Sequence, residues 1–475
     1  MAKMITEPER TIPVLDEVDV LVAGAGTAGV AAAVSSARAG ARTMLIERQG
    51  FLGGVASAGL MTSATNVVLT GDGRQVVKGI VEEILDKLAE RGATSPGWRT
   101  RALPQFPFDQ EAFRVLLVEM VQDAGVETLV ETWVTDVVKE GDELQGVIIE
   151  SKSGRQAILA KTFVDTTGDA DLAAFAGAPC RDTPPDSGSL LFQMRNVDLD
   201  KTVDYFEEHP EEWQQYCDRV TTLEEFIANW RDLGMFHLPH GGGRNMHLVQ
   251  DVIARGEYVR EKGLCKDLDV FGMFSYRESG AVLINSCNYR IDHLDIKTHS
   301  QAELEARRLV PMVAGFLREH MPGFEQAFVS DTAAMVGVRY TRWIDAGFDL
   351  TRRHKAEGAQ FDDVIGVESA STRHPRGGVI HPPGLAELPY RIMLPQNVDN
   401  LIVASGKSVS TDPRGLVRGQ IPCYVLGQAG GIAAAVAVKS DTSAREVDIR
   451  EVQRELLKQN VYLGDPDRLA ELGLA

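Results

Sequence analysis

The hydrophobic pattern begins with Val18-Asp19-Val20-Leu21-Val22-Ala23, a short Val-rich run that predicts a strand buried on both faces of a parallel sheet. A glycine loop, Gly24 to Gly29, follows it. Val30 to Ala39 is Ala-rich and predicts a helix stopped by Gly40, and Arg42 to Glu47 predicts a second strand. Together they make a βαβ unit of the expected length, roughly 30 residues. Further on, Asp109 opens a helix with Phe113, Leu116, Leu117, Met120 and Val121 at helical spacing, ended by Gly125. Glu127–Lys139 and Leu144–Glu150 alternate as strands do, and Gly141-Asp142 and Ser153-Gly154 supply the turns. Thr162–Asp165 predicts another buried strand.

The texture changes near Asp186. Ser189–Val197 and Ala281–Tyr289 predict strands of a different, mixed sheet. A helix over Gln301–His320 carries Leu309, Met312, Val313, Phe316 and Leu317 on one face, with a bend expected at Pro311. The first texture returns with the buried strand Leu401–Ala404 and the Ala-rich helix Pro422–Val438. The fold class expected is α/β: a discontinuous nucleotide-binding domain over 14–185 and 391–440, an inserted α+β substrate domain over 186–390, and a polar helical tail over 441–475. For 475 residues, two or three domains is the ordinary expectation.

Charge and cysteine content narrow the partners. The net charge of −19 disfavours phosphate backbones and anionic lipid, so neither nucleic acid nor a membrane is expected as a partner. No apolar run approaches the ~20 residues that span a bilayer, and Met1–Arg10 has no apolar core of a secretory signal. The five cysteines (Cys180, Cys217, Cys265, Cys287 and Cys423) are scattered, which predicts a reducing, cytoplasmic setting without disulfides, metal site or iron–sulfur cluster.

The chemistry starts at Gly24-Ala25-Gly26-Thr27-Ala28-Gly29, a G-x-G-x-x-G sequence between strand and helix. Gly24 permits the turn, Gly26 the approach of a pyrophosphate, and Gly29 the packing of helix on strand. Glu47 lies about 20 residues on, where a carboxylate accepts from both ribose hydroxyls and repels a 2′-phosphate. Three further stretches are distinctive: Arg48-Gln49-Gly50-Phe51-Leu52-Gly53-Gly54, Thr166-Thr167-Gly168-Asp169-Ala170-Asp171, and Asn400 to Ala433 with Ser405-Gly406 and Gly419-Gln420-Ile421. With these the chain resembles the FAD-dependent oxidoreductases of the two-dinucleotide-binding-domains flavoprotein type, in the group whose first motif continues into G-F-L-G-G. Pro322-Gly323-Phe324-Glu325, Val336-Gly337-Val338-Arg339 and His381-Pro382-Pro383-Gly384 extend the likeness over nearly the whole chain.

The resemblance implies a Rossmann-like FAD-binding domain and non-covalent FAD. It implies that Glu47 holds the adenosine ribose, with Arg48 beside it. Gly53 and Gly54 wrap the pyrophosphate and ribityl chain, and Val134 meets adenine by its backbone. Thr167, Gly168 and Asp169 lie near the ribityl or pyrophosphate, and Ser405, Gly406, Gly419, Gln420 and Ile421 close over the flavin. A helix starting near Pro422 presents free N–H groups and a positive dipole end to reduced flavin. Cys423 is expected to be a packed apolar residue. After Ser410 the chain departs from the family: relatives often carry a histidine there, and here Thr411-Asp412-Pro413-Arg414 stands.

Candidates for the reaction itself are His374 and His381 as proton acceptors, and Arg339, Tyr340 and Arg414 in the substrate cavity, with Arg342 and Arg418 alongside. Gly241-Gly242-Gly243 is a candidate lid or a plain connection. The expected function is hydride transfer between a small polar metabolite and flavin N5, as a dehydrogenase or reductase. No second G-x-G-x-x-G follows a strand, so a separate electron acceptor is expected. A flavoenzyme without net redox change (isomerase or eliminase), a flavin-bearing subunit of a redox complex, and a homo-oligomer stay open.

Overall fold

The computed structural model describes residues 4–65, 68–70, 73–101, 103, 105–183, 185–213, 221–239, 246–256, 272–369 and 385–475. Strand β1 (Val14–Ala23) is fully buried over Val20–Val22, as its apolar run requires. It leads into helix α1 (Thr27–Arg38) and strand β2 (Thr43–Ile46). Helix α2 (Gln110–Asp123) starts where predicted, capped by the Asp109 carboxylate, which accepts from Ala112 N at 2.9 Å.

The expected strand Glu127–Lys139 is two strands, β3 (Glu127–Leu129) and β4 (Trp133–Glu140). The backbone turns left-handed at Glu131 (φ 51°), and Thr132 N donates to Glu47 O at 3.0 Å, so alternation alone conceals a change of partner. Strands β5 (Glu143–Ser151) and β6 (Gly154–Asp165) complete this part of the sheet.

The second sheet is antiparallel. It contains β7 (Asp186–Arg195), β8 (Met235–Leu238), β9 (Gly272–Tyr276), β10 (Ala281–Ile291), β11 (Phe328–Thr332) and β12 (Gly337–Val338), in the order β8-β9-β10-β7-β11 with β12 also on β7. Helix α3 (Ile296–His320) packs on it and contains Pro311. Strand β13 (Leu401–Val403) then returns to the first sheet and pairs in parallel with β6. That sheet is seven-stranded, in the order β3-β2-β1-β6-β5-β4 with β13 beside β6. Helix α4 (Gln420–Ser440) lies against α1 so closely that a Cβ on Gly427 or Gly431 would stand 2.1 or 2.0 Å from the carbonyls of Ala28 and Ala32.

Three features go beyond the expected outline. Part of the stretch before residue 391 shares a core with the N- and C-terminal segments. Leu350, Ile365, Val367, Leu388 and Tyr390 are buried in the same core as α1 and α4, because the pair Val364–Ser369 and Leu385–Pro389 packs on α4. The tail is docked as well: Val452 and Leu456 enter that core, and Gln453 Nε2 donates to the carbonyls of Asp362 (2.8 Å) and Val364 (3.0 Å). Finally, α4, at 21 residues, is long and apolar enough to cross a bilayer, with mean hydropathy 1.6 over 18 of them. Its glycines and Pro422 hide the run in the sequence, and 94% of that 18-residue stretch is buried inside the fold.

Candidate functional site

The G-x-G-x-x-G loop joins β1 to α1. Gly24 (φ 96°) sits under Thr166, whose carbonyl would meet a Cβ there at 2.8 Å, and a Cβ on Gly29 would stand 1.8 Å from the Gly24 carbonyl. The α1 N-cap, Gly26, has no capping side chain. The first-turn amides of Thr27, Ala28 and Gly29 therefore remain as donors at the positive end of the helix. The helix begins three residues earlier than its apolar run suggests.

Glu47, at the end of β2, is buried, and its carboxylate braces this loop. Oε2 accepts from Ala25 N at 2.7 Å and Oε1 from Gln49 N at 2.8 Å. Burial raises the pKa of its carboxyl, opposed by those two hydrogen bonds and by Arg48. Each oxygen retains a lone pair for a diol. The second loop lies on the first: Gly53 N donates to Ala25 O at 2.8 Å, and a Cβ on Gly54 (φ 52°) would stand 2.8 Å from Gly26 Cα. Uncapped helix amides, a buried carboxylate and a glycine-lined cradle fit a dinucleotide. Arg48 lies 5.3 Å from the ring centroid of Trp133, the half-exposed neighbour of Val134 on β4. Glu47→Ala removes a charge-assisted acceptor worth about 1.5–3 kcal/mol. FAD affinity is expected to fall by about one to two decades, measured by fluorescence titration of the apoprotein.

The segment after β6 forms the next wall. Asp165 is fully buried and accepts from Thr167 N (3.1 Å), Thr167 Oγ1 (2.7 Å) and Leu172 N (2.9 Å), which closes the turn. Burial, then the Asp171 charge, push its carboxyl up to about 6. Gly168 (φ 86°) lets Asp169 face Lys407. Asp169 Oδ1 accepts from Lys407 Nζ at 2.9 Å and from Thr341 Oγ1 at 2.5 Å. Burial works to raise the Asp169 carboxyl, but Lys407 and Thr341 hold it below the ordinary value. Lys407 Nζ also donates to Val338 O at 3.2 Å. Arg342, expected to line the substrate cavity, instead clamps this turn: it pairs with the Asp171 carboxylate and donates to Asp169 O at 3.1 Å.

Ser405-Gly406 brings the chain back to this wall. A Cβ on Gly406 would stand 2.1 Å from Val417 O, so the 405–407 and 417–419 segments lie back to back. Helix α4 starts at Gln420 rather than Pro422, with Gly419 as an N-cap that offers no side-chain oxygen. Gln420 and Ile421 open its first turn, and Pro422, having no amide hydrogen, leaves none to orphan. Gln420 Nε2 donates to Met61 O at 2.9 Å, tying the helix start to the chain beyond Gly54. Cys423 is buried, and burial pushes its thiol up to about 11, which leaves it an unreactive neutral group.

A cationic cluster stands next to these loops. The guanidinium carbons of Arg414 and Arg418 lie 4.8 and 5.3 Å from the ring centroid of Tyr340, and Arg418 Nε donates to the Tyr340 hydroxyl at 2.9 Å. Gly415 allows this contact, because a Cβ there would meet Tyr340 Cε1 at 2.4 Å. Arg414 pairs with Asp186 at the start of β7, and Arg339 reaches Ser187 Oγ at 3.5 Å. Arg339, Tyr340 and Arg414 are thus brought together, and Val338 connects them to Lys407. His374, His381 and Gly241-Gly242-Gly243 lie outside the described residues. Trp133 and Thr341 belong to the site without any motif to announce them. Lys407 lies within the distinctive stretch Asn400–Ala433, but nothing in that stretch singles it out from its neighbours.

A family model described as FAD dependent oxidoreductase matches residues 19–456. A thiamine thiazole synthase of Aeropyrum pernix is 31% identical over 154 residues, which is 32% of this chain and 50% of that protein. One of Methanococcus vannielii is 28% identical over 169 residues, 32% of this chain and 57% of that protein. The chain thus spans about half the length of the curated relatives it matches. Among solved structures, a geranylgeranyl bacteriochlorophyll reductase-like protein of Thermoplasma acidophilum aligns at 14% identity and TM-score 0.46, covering 96% of this chain and 87% of that one. The p-nitrophenol 4-monooxygenase of Pseudomonas putida aligns at 13% and 0.45, covering 96% and 93%.

Proposed function

Because the chain belongs to the FAD dependent oxidoreductase family, we propose that it is a dehydrogenase or reductase of a small anionic metabolite, with electrons passed to or from a separate acceptor. FAD, when bound, supplies the two-electron centre that exchanges hydride with the substrate carbon. The observation that carries the substrate class is the gathering of Arg414 and Arg418 around Tyr340, with Arg339 on Ser187 beside the Asp186 partner of Arg414, in a chain of net charge −19. Arg414 is half-neutralised by Asp186, which fixes its place. Arg418 is exposed and has no ion pair among the described residues, so its outer nitrogens are available to a carboxylate or phosphate. The Tyr340 ring keeps both guanidiniums in register, and its hydroxyl, which accepts from Arg418, retains a proton to donate. The glycine-lined loops exclude side chains from the cofactor cradle, and the neutral, buried Cys423 favours FAD held without a covalent bond.

Anaerobic mixing of the holoenzyme with a panel of small metabolites tests this. Lasting bleaching by anionic members only is expected, and equal bleaching by neutral analogues would overturn the substrate class. With a reactive substrate in hand, Arg418→Ala is expected to raise KM about tenfold with kcat little changed, because it removes a contact made equally in ground and transition states. Added salt is expected to weaken wild-type binding more than that of the variant, since the group is exposed. Acid precipitation is expected to release FAD into the supernatant.

A further inference from the structure

His293 follows β10 and takes no part in the contacts above. Strand β7 makes room for its ring at Gly188, where a Cβ would stand 2.8 Å from His293 Cε1 and 3.2 Å from Nε2. Gly188 pairs with Val338 of β12, and the Val338 carbonyl accepts from Lys407. Asp186, two residues earlier and so on the same face of β7, pairs with Arg414. The imidazole therefore lies within the field of two ion pairs, Asp169–Lys407 of the cofactor wall and Asp186–Arg414 of the cationic cluster. From α3, His299 faces it with ring centroids 5.6 Å apart. His299 itself lies 3.5 Å from Glu303, which also binds Arg307 at 2.5 Å. On its own segment, Asp292 and Asp295 are turned to the backbone amides of Leu294 and Lys297.

Both ring nitrogens of His293 are buried without a hydrogen-bond partner among the described residues. Burial, then the positive sides of His299 and Lys407, pull the imidazole down to about 4, against Asp169 and Asp186. The ring is consequently uncharged at neutral pH, with one nitrogen lone pair unused. A buried neutral base among fixed charges gains a proton when nearby charge becomes more negative.

We propose that His293 is a redox-linked proton site that binds a proton when FAD is reduced. In the forward direction a substrate C–H bond breaks and its hydride passes to FAD, the substrate hydroxyl loses its proton as the carbonyl forms, and a proton ends on His293. The proposal rests on the cofactor and not on the anionic substrate class. It is therefore tested with photochemical reduction of the holoenzyme, for which no substrate is needed.

Proton uptake per flavin is followed with a pH indicator between about pH 5 and 8, and the absorbance of the reduced flavin reports whether the flavin itself is anionic or neutral. Wild type is expected to take up more protons than His293→Gln and His293→Asn, by at most one and most at the acid end of that range, after the flavin's own protons are subtracted. Equal uptake would overturn the proposal. If the variants fail to hold FAD, wild-type protein with labelled histidines decides. One imidazole resonance is expected to pass from the neutral to the charged position on reduction, and the idea fails if none moves.

Discussion

Gly26→Ala is expected to give a folded, colourless protein, and Gly29→Ala a protein that unfolds early. The two glycines are three residues apart in one motif but face different things. A Cβ on Gly26 would meet nothing nearer than Gly54 Cα at 4.0 Å, and Gly26 has an ordinary extended backbone (φ −70°), so the apoprotein tolerates alanine there. The added methyl does occupy the way by which a pyrophosphate reaches the α1 amides. FAD affinity is expected to fall by about a hundredfold or more, about 2.7 kcal/mol. A Cβ on Gly29 would lie 1.8 Å from the Gly24 carbonyl and 2.8 Å from Thr166 Oγ1, so α1 must lift from β1. Overpacking against backbone costs about 3 kcal/mol or more, felt with or without FAD. Thermal melts of both apoproteins and visible absorbance of both as purified decide the matter. A yellow Gly26→Ala protein would refute the pyrophosphate assignment. A Gly29→Ala apoprotein as stable as wild type would refute the packing role.

The parts legible in the sequence are those whose residues are close along the chain. The run Val18–Ala23, the glycines at 24, 26 and 29, and Glu47 sit within one βαβ unit, so spacing alone places the carboxylate against the loop it braces. What stays hidden depends on distant partners. Lys407 meets Asp169 across 238 residues, and Arg342 meets Asp171 across 171, and nothing local distinguishes such pairs from solvated charges. Arg342 groups with Arg339 and Tyr340 in the sequence because it is their neighbour there. Its strand, Arg342–Ile344, instead pairs with Cys180–Asp182 and aims it at the Asp169 turn. Trp133 is hidden by the reversal at Glu131, which ends one strand and starts another within a single alternating run. His293 carries no motif at all, and only Gly188, about a hundred residues earlier, makes room for it.

Lys407→Met is expected to strip the protein of FAD and to make its stability depend on pH in the opposite sense from wild type, and adding Asp169→Asn is expected to restore both in part. The Asp169 and Lys407 side chains are 24% and 22% exposed and 2.9 Å apart, so the pair is screened only in part by water. Removing one member of a buried pair costs about 3–5 kcal/mol, and the partial exposure here lowers the expectation to about 2 kcal/mol. In wild type the Asp169 carboxyl is held below its ordinary value of 3.8, so its contribution is fully present above that pH and is lost only as pH falls below it. Without the ammonium, burial is left to act against the Thr341 hydrogen bond and the more distant Arg48 charge, and the carboxyl rises. A group with a raised folded-state value is destabilising while charged, so the variant is expected to gain stability as pH falls from about 7 toward 5, where wild type is flat. In the double variant the Asp169→Asn change removes the unpaired charge and keeps a carbonyl partner for Thr341, so the penalties of the two single changes should not add. Thermal melts of the four apoproteins at both ends of that range, with FAD titrations beside them, measure the coupling. Simple additivity would mean that Lys407 acts on the fold by some contact other than Asp169, of which the Val338 carbonyl is the next in reach.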